Sequence, residues 1–389
     1  MLGLLAPLLQ VKIGWDEKQY AYIGTAFLIA YAIGLPLMGR FIDRVGTRTG
    51  YAAAIAIWSL AAVAHSLVRS ALGFGIVRFA LGFGESGNFP AAIKTVAEWF
   101  PKKNAPWLPV SSTPGRMRAL PSLRSPYHGS LYGSDGSLRF CSPGPSAQPG
   151  SFCWLVFYRK PQEDARLSSA ELTYILSDPM EAGAQMTWSS LRVHRQTWAF
   201  LLGKFLTDPI WRFFLFWLPK FFSTVHGVSL TRLGLPLVII YNCATVGSVF
   251  GGWLPARFLK AGWSLNRARK TAMLICALVV VPVVLAAKIH SLWGAIIVIS
   301  MAAAAHQGWS ANLFTLVSDL FPKNAVASVV GIGSFGGAIG GALIATFTGF
   351  LLQLAHSYVP IFIIASCIYL VALLLIHSLA PRLQPIAGI

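Results

Sequence analysis

Charge is scarce in this sequence, and acid scarcest. Only 13 Asp and Glu stand against 31 Lys and Arg in 389 residues, and 11% of the chain is charged. A soluble domain carries about 25% charged residues, so the composition excludes one. Short runs of alternating polar and apolar residues are missing as well, which excludes a transmembrane barrel. Cysteine is rare: Cys141, Cys153, Cys243, Cys276 and Cys367 share no metal or redox spacing and read as packing residues. The apolar start, Met1 to Gln10, lacks the basic opening and the small-residue cleavage site of a secretory leader. No nucleophile is paired with a base, and there is neither a metal cluster nor a cofactor loop. The chain is therefore not expected to be an enzyme or to hold a cofactor.

What the sequence does have is hydrophobic length. It is 55% hydrophobic with a mean hydropathy of +0.62, and windows long enough to cross about 30 Å of hydrocarbon recur along it. The reading is an all-α membrane protein whose surroundings are the lipid bilayer. The net charge of +18 raises nucleic acid as a partner, but the basic residues gather in alternate loops, as cytoplasmic loops do. No nucleic acid partner is expected.

In the first part, spans are expected at Tyr20 to Met38, Tyr51 to Leu67 and Ala71 to Trp99. The first of these empties into GRFIDRVGTRTG, a cytoplasmic loop with Arg40, Arg44 and Arg48. From Asn104 to Gly150 apolar runs vanish and about a third of the 23 prolines accumulate, a composition that reads as disordered. SFCWLVFY, ending at Tyr158, is too short to span, and a charged, partly helical connector leads on to Arg195. Six further spans are expected at Thr197 to Phe222, Leu235 to Phe250, Thr271 to Ala287, Leu292 to Leu316, Val329 to Leu352 and Val359 to His377. Three regions result: a membrane bundle over 1–103, the anomalous piece with its connector over 104–196, and a six-helix bundle over 197–389. The basic loop RFLKAGWSLNRARK and the nearly uncharged loops near His226, His290 and His356 fall on opposite sides. Two bundles flanking a connector suggest duplication. Gly39-x-x-x-Asp43-Arg44 is echoed by Gly252-x-x-x-Ala256-Arg257.

The stretch from Ala71 to Trp99 carries Arg78 and Glu85 inside an apolar run. A charge at membrane depth costs roughly 2.5–3.5 kcal/mol, so each must face a partner or a watery cavity. Seven helical residues make nearly two turns, so both lie on one face, with Gly82 and Gly84 leaving little bulk beside them. The plain alternative is a pair that bridges helices. Further on, Lys204 and Asp208 stand one turn apart, spaced for a local ion pair, and Pro209 breaks the helix ladder behind them. Lys204 has the alternative of snorkelling to the inner surface. His306, Gln307, Trp309, Ser310, Asn312 and Thr315 enrich one span in hydrogen-bonding groups. The amides of Gln307 and Asn312 suit sugar hydroxyls, or else glue helices together. GIGSFGGAIGG, from Gly331 to Gly341, favours close helix packing over a phosphate loop, since no strand precedes it.

GRFIDRVGTR resembles the helix 2 to 3 loop signature of the major facilitator superfamily, and RFALGFGESGNFPAAIKTVAEWFPKK resembles helix 4 of its anion:cation symporter branch. WAFLLGKFLTDPIWRFFLFWLPKFF, HQGWSANLFTLVSDLFPKNA and NRARKTAMLICAL look like the bacterial hexuronate transporters within that branch. The likeness covers Met1 to Lys103 and Arg159 onward. It implies a two-bundle architecture of twelve helices around a midplane site. It also implies proton-coupled symport of a sugar acid such as galacturonate or glucuronate, by a monomer in the bacterial inner membrane. Small organic anions and protons would be its partners. Against that plan, helix 1 is expected to be truncated and helices 5 and 6 largely missing. The piece from Asn104 to about Cys153 reads as translated in the wrong register, through a frameshift or a sequencing error that mimics one. On the resemblance, Glu85 is the proton-coupling residue, Arg78 attracts the substrate carboxylate and Tyr31 lines the sugar pocket. Lys204, Asp208, Gln307 and Asn312 join the substrate residues, and Asp43, Arg44 and Arg48 form a gate. Arg212 stands where the family tends to carry an aromatic residue. The alternatives are a transport-dead remnant, another organic anion, or a neutral sugar.

Overall fold

The computed structural model describes residues 17–101, 154–177, 186–229, 232–355 and 357–386. The expectations for Met1 to Val11, for the anomalous piece, and for Cys141 and Cys153 lie outside these residues. Among the described residues every regular element is helical. The first half holds α1 (Glu17–Val45), α2 (Thr47–Ala64), α3 (Ala71–Glu85) and α4 (Asn88–Trp99). The connector carries a 3-10 turn (Pro161–Glu163), α5 (Ser169–Ile175) and α6 (Trp188–Val193). The second half comprises α7 (Arg195–His226), α8 (Gly234–Lys260), α9 (Leu265–Val280), α10 (Leu292–Leu320), α11 (Val326–Ala355) and α12 (Val359–Leu379).

Among the described residues six helices are long and apolar enough to cross a bilayer: α1, α8, α9 with its extension, α10, α11 and α12. Several run past the apolar windows seen in the sequence. α8 continues to Lys260, with Arg257 and Lys260 in its last turn, where cations complement the helix dipole and reach the membrane surface. α7 is 32 residues long and stays continuous through Pro209 and Pro219. The ladder bond that Pro209 cannot make leaves the Phe205 carbonyl facing Gly340 of α11. α9 gives way to 3-10 geometry over Val281–Ala287, with Pro282 in the first turn.

Ala71 to Trp99 is two helices rather than one. Pro90 has no N–H to offer Ser86, and the chain turns at Ser86 and Gly87 before α4 begins. Gly82 and Gly84 do not clear space around the charges either. A Cβ on Gly82 would collide with the Phe27 carbonyl of α1, and one on Gly84 would meet the Trp58 amide of α2 at 2.6 Å. These two positions admit neighbouring backbones.

The glycine run of α11 works the same way against α7: Gly333 faces Phe200, Gly336 faces Leu201, and Gly337 faces the Asp208 carboxylate. Gly331, on another face, meets the Leu35 carbonyl of α1. α11 thus packs on its own half and on the opposite one. The main core lies in the second half, where Phe213, Phe214, Phe221, Phe222 and Phe362 are fully buried and packed ring against ring.

The helix ends near the basic loops cluster. Arg40 donates to the Met186 carbonyl at 2.6 Å. Lys270 donates to the carbonyls of Ala380 and Pro381 at 2.8 and 2.7 Å, and the Ile386 amide to the Leu320 carbonyl at 2.8 Å.

Candidate functional site

The two halves meet first at the end of the basic loops. Asp43, in the last turn of α1, is buried and receives two backbone N–H groups from the start of α11, Ala327 at 3.3 Å and Ser328 at 2.6 Å. The carboxylate therefore caps a helix of the opposite half, where the positive end of the dipole favours it. Its ion-pair partner is Lys94 of α4, at 2.8 Å with only 4% of the lysine exposed. Arg44 points outward, where it lines a surface cavity of about 410 Å³ with Leu37, Arg40, Phe41, Thr187 and Trp188. Arg48 donates to the Leu155 carbonyl at 2.6 Å. It thereby holds residues 154–158 against the first half, where Trp154 packs on Tyr51 and the Tyr158 hydroxyl donates to Glu98. Of the three gate candidates, then, only Asp43 spans the interface between halves.

One layer deeper, Phe89 of α4 stacks on Phe314 of α10, with ring centres 5.5 Å apart and planes 3° from parallel. Behind Phe314 stands Lys204 of α7, its ammonium 4.3 Å from the ring centre. Lys204 does not snorkel. It is buried and paired with Asp208 at 2.8 Å. A methyl group on Gly337 would collide with the Asp208 carboxylate, so the pair is wedged between α7 and α11.

At mid-height Tyr31 of α1 stacks on Phe27 one turn away, with ring centres 6.0 Å apart. Tyr31 lies within electrostatic reach of Glu85 in its own half and of Asp208 and Arg212 in the other. Charges of both halves thus lie within electrostatic reach of this one residue. The Arg78 guanidinium stands over Phe27 at 5.7 Å, and its buried Nε has no hydrogen-bond partner. Arg78 and Glu85 feel each other's charge without closing into an ion pair, and both are half-buried. Among the described residues neither charge forms an ion pair or hydrogen bond with a neighbouring helix, and the Phe27 ring is the contact Arg78 makes with α1.

The polar stretch of α10 divides. His306 hydrogen-bonds the Tyr369 hydroxyl at 2.7 Å and stacks on Trp211 at 5.3 Å. Asn312 spends its amide hydrogens on the carbonyls of Gly251 at 2.7 Å and Gly308 at 2.9 Å, which fastens α8 to α10 and corrects the expectation of a sugar-facing amide. Gln307 remains half-buried, with no hydrogen bond among the described residues. Lys94 and the buried Arg269–Asp319 pair at 2.8 Å escaped the sequence reading. A lysine within an apolar helix was a signal in the first case. A partner 50 residues away left none in the second.

Comparisons with known proteins fit this geometry. The sequence profile of the Major Facilitator Superfamily matches residues 1–106 and 149–345. The Hexuronate transporter of Escherichia coli (strain K12) is 28% identical over 383 residues, covering 96% of this chain and 88% of that protein. The Galacturonate transporter of Dickeya chrysanthemi is 30% identical over 269 residues, covering 67% of this chain and 76% of that one. The proton:xylose symporter XylE superposes with a TM-score of 0.70 at 16% identity, covering 98% of this chain and 90% of that chain. FucP in its outward conformation superposes with a TM-score of 0.69 at 14% identity, covering 97% and 94%. Both of these likenesses concern the fold alone. Helices of membrane-spanning length and a buried carboxylate of one half capping a helix of the other accompany a profile match over most of the chain: it belongs to the Major Facilitator Superfamily, a family of multi-pass membrane transporters rather than enzymes.

Proposed function

We propose that the protein carries a sugar acid of the hexuronate class, together with a proton, across the bacterial inner membrane by alternating access. The observation that supports this reading is the pair Arg78 and Glu85, half-buried on one helix and within reach of each other's charge without closing into an ion pair. In this mechanism the forked donors of Arg78 take the substrate carboxylate, and Tyr31 and Gln307 face its hydroxyls. Protonation of Glu85 removes one negative charge from the centre, so a proton and an anion bind more tightly together than apart. The Asp43 cap on α11 must open when the site turns to the cytoplasm, and Lys204 with Asp208 supports the Phe314 side of that gate. The protein works as a monomer.

Uptake of labelled galacturonate or glucuronate from acidic medium tests the proposal. Glu85→Gln should abolish accumulation driven by a proton gradient, while exchange of labelled for unlabelled sugar acid persists. Undiminished proton-driven accumulation in that variant would refute the coupling role. One observation favours a second reading: the family profile passes over residues 107–148, as it would in a transport-dead remnant. Absence of uptake by this chain, beside robust uptake by the Escherichia coli relative, would decide for that reading.

A further inference from the structure

The outer face of α1 changes character at the end that leads into the basic loops. Ile29, Ile33, Leu37 and Phe41 recur at one-turn spacing and are all exposed. They make an apolar stripe along a helix long enough to cross the bilayer. The stripe gives out at Arg40 and Arg44, which also stand one turn apart. There the surface opens into the cavity of about 410 Å³ between α1 and the start of α6, with Leu37 and Phe41 on one wall and Thr187 and Trp188 on the other.

The lining brings two guanidinium groups into this cavity and, among the described residues, no carboxylate. Asp43, the acid next to Arg44, is turned inward to Lys94 and the α11 amides. Arg40 gives one N–H to the Met186 carbonyl at 2.6 Å, which pins its planar fork beside α6 and leaves its other donors over. Arg44 forms neither an ion pair nor a hydrogen bond among the described residues. The Trp188 ring is exposed at the rim, and tryptophan gathers where hydrocarbon gives way to water. Positive charge without a counter-charge, a tryptophan at the boundary and an apolar track leading into the bilayer thus meet in one place. A free phosphate would use only the charge, whereas a phospholipid uses all three. We propose that the cavity seats the phosphate of an anionic phospholipid from the leaflet on the basic-loop side, with an acyl chain lying along Leu37, Ile33 and Ile29. The forks of Arg40 and Arg44 supply its hydrogen bonds. Because Arg40 is also tied to Met186, the lipid joins α1 of the first half to the connector.

Native mass spectrometry of the full chain tests this, with phosphatidylglycerol or phosphatidylcholine titrated into detergent micelles and the first retained lipid measured. Wild type should retain phosphatidylglycerol at a concentration about tenfold or more below that for phosphatidylcholine. One arginine beside an anionic headgroup is worth about fivefold, so Arg44→Gln should weaken the first phosphatidylglycerol by about that factor, and Arg40→Gln combined with Arg44→Gln by about 25-fold. Arg382→Gln, which removes the same charge from the exposed segment after α12, should change it by less than about twofold. Equal retention of the two lipids by wild type would overturn the proposal. So would an unchanged affinity in Arg44→Gln, or an equal loss in Arg382→Gln, which would reduce the effect to overall charge. Millimolar inorganic phosphate should leave the lipid in place, and its displacement would make a free anion the ligand and overturn the proposal as well. Gel filtration in detergent reports whether each variant is folded. If Arg44→Gln is not, the wild-type lipid comparison and the phosphate competition decide.

Discussion

Glu85 in α3 and Asp208 in α7 are both carboxylates at membrane depth with a cation on their own helix, and the two halves hold them differently. Asp208 has Lys204 four residues before it, so the two side chains lie one above the other and close to 2.8 Å. Gly337 brings α11 up against the carboxylate, and Phe314 covers the ammonium. Glu85 has Arg78 seven residues before it, about 10.5 Å along the helix axis. The two share a face and feel each other, but they do not meet. A separation of four thus builds a strut within α7. A separation of seven leaves an acid and a guanidinium that, in the proposed mechanism, are free for a proton and an anion.

The contrast can be tested by removing each carboxylate in turn. The largest effect belongs to Asp43, the fully committed case. Asp43→Asn strands the buried Lys94 ammonium and weakens the cap on α11, and should cost about 3–5 kcal/mol by thermal unfolding in detergent. Hydrogen exchange should accelerate first at Ala327 and Ser328. Asp208→Asn should cost less, about 2–3 kcal/mol, because the Asp208 side chain keeps 23% of its exposure. Replacing Lys204 by Met in the same molecule should recover much of that loss, since no stranded charge remains. Glu85→Gln should shift unfolding by less than about 1 kcal/mol, being nearly isosteric at a site with no bonded partner. A loss as large as that of Asp208→Asn would make Glu85 a second strut and end the contrast.

The smallest effect lies outside the membrane. The Arg166 guanidinium, 2.8 Å from Asp164, holds that carboxyl below its ordinary range. Its stabilisation is therefore present above the ordinary carboxylate value and is lost as pH falls through the lowered one. Because Arg166 is well exposed, Asp164→Asn should leave the unfolding temperature nearly unmoved. Titration of the Asp164 carboxyl by NMR is the sensitive measurement, and a midpoint at the ordinary value would show that the pair does not persist.

Much of the candidate site was legible one helix at a time. The spacing of Lys204 and Asp208 announced their pair, and the cost of charge in lipid singled out Arg78 and Glu85. Asn312 could not be judged that way. Its amide serves sugar or backbone according to whether a carbonyl of another helix stands beside it, and that of Gly251 on α8 does. Asp43 was legible as a gate candidate but not in its partner, since Lys94 lies 51 residues on and reaches it only because α4 folds back beside α1.

By itself, then, the sequence determined an all-helical membrane protein and singled out the residues that a bilayer would not tolerate without purpose. Length, hydropathy and the cost of burying charge are properties of single segments. Only the tertiary structure decided which charges close on one another and which stay open. It set Lys94 on Asp43, Asp319 on Arg269 and Phe89 on Phe314, and among the described residues it left Arg78, Glu85 and Arg212 without an ion pair. The physical reason is that a contact between helices depends on their relative rotation and depth. Glycines and prolines set these at a few backbone crossings, and the pattern along any one helix does not record them.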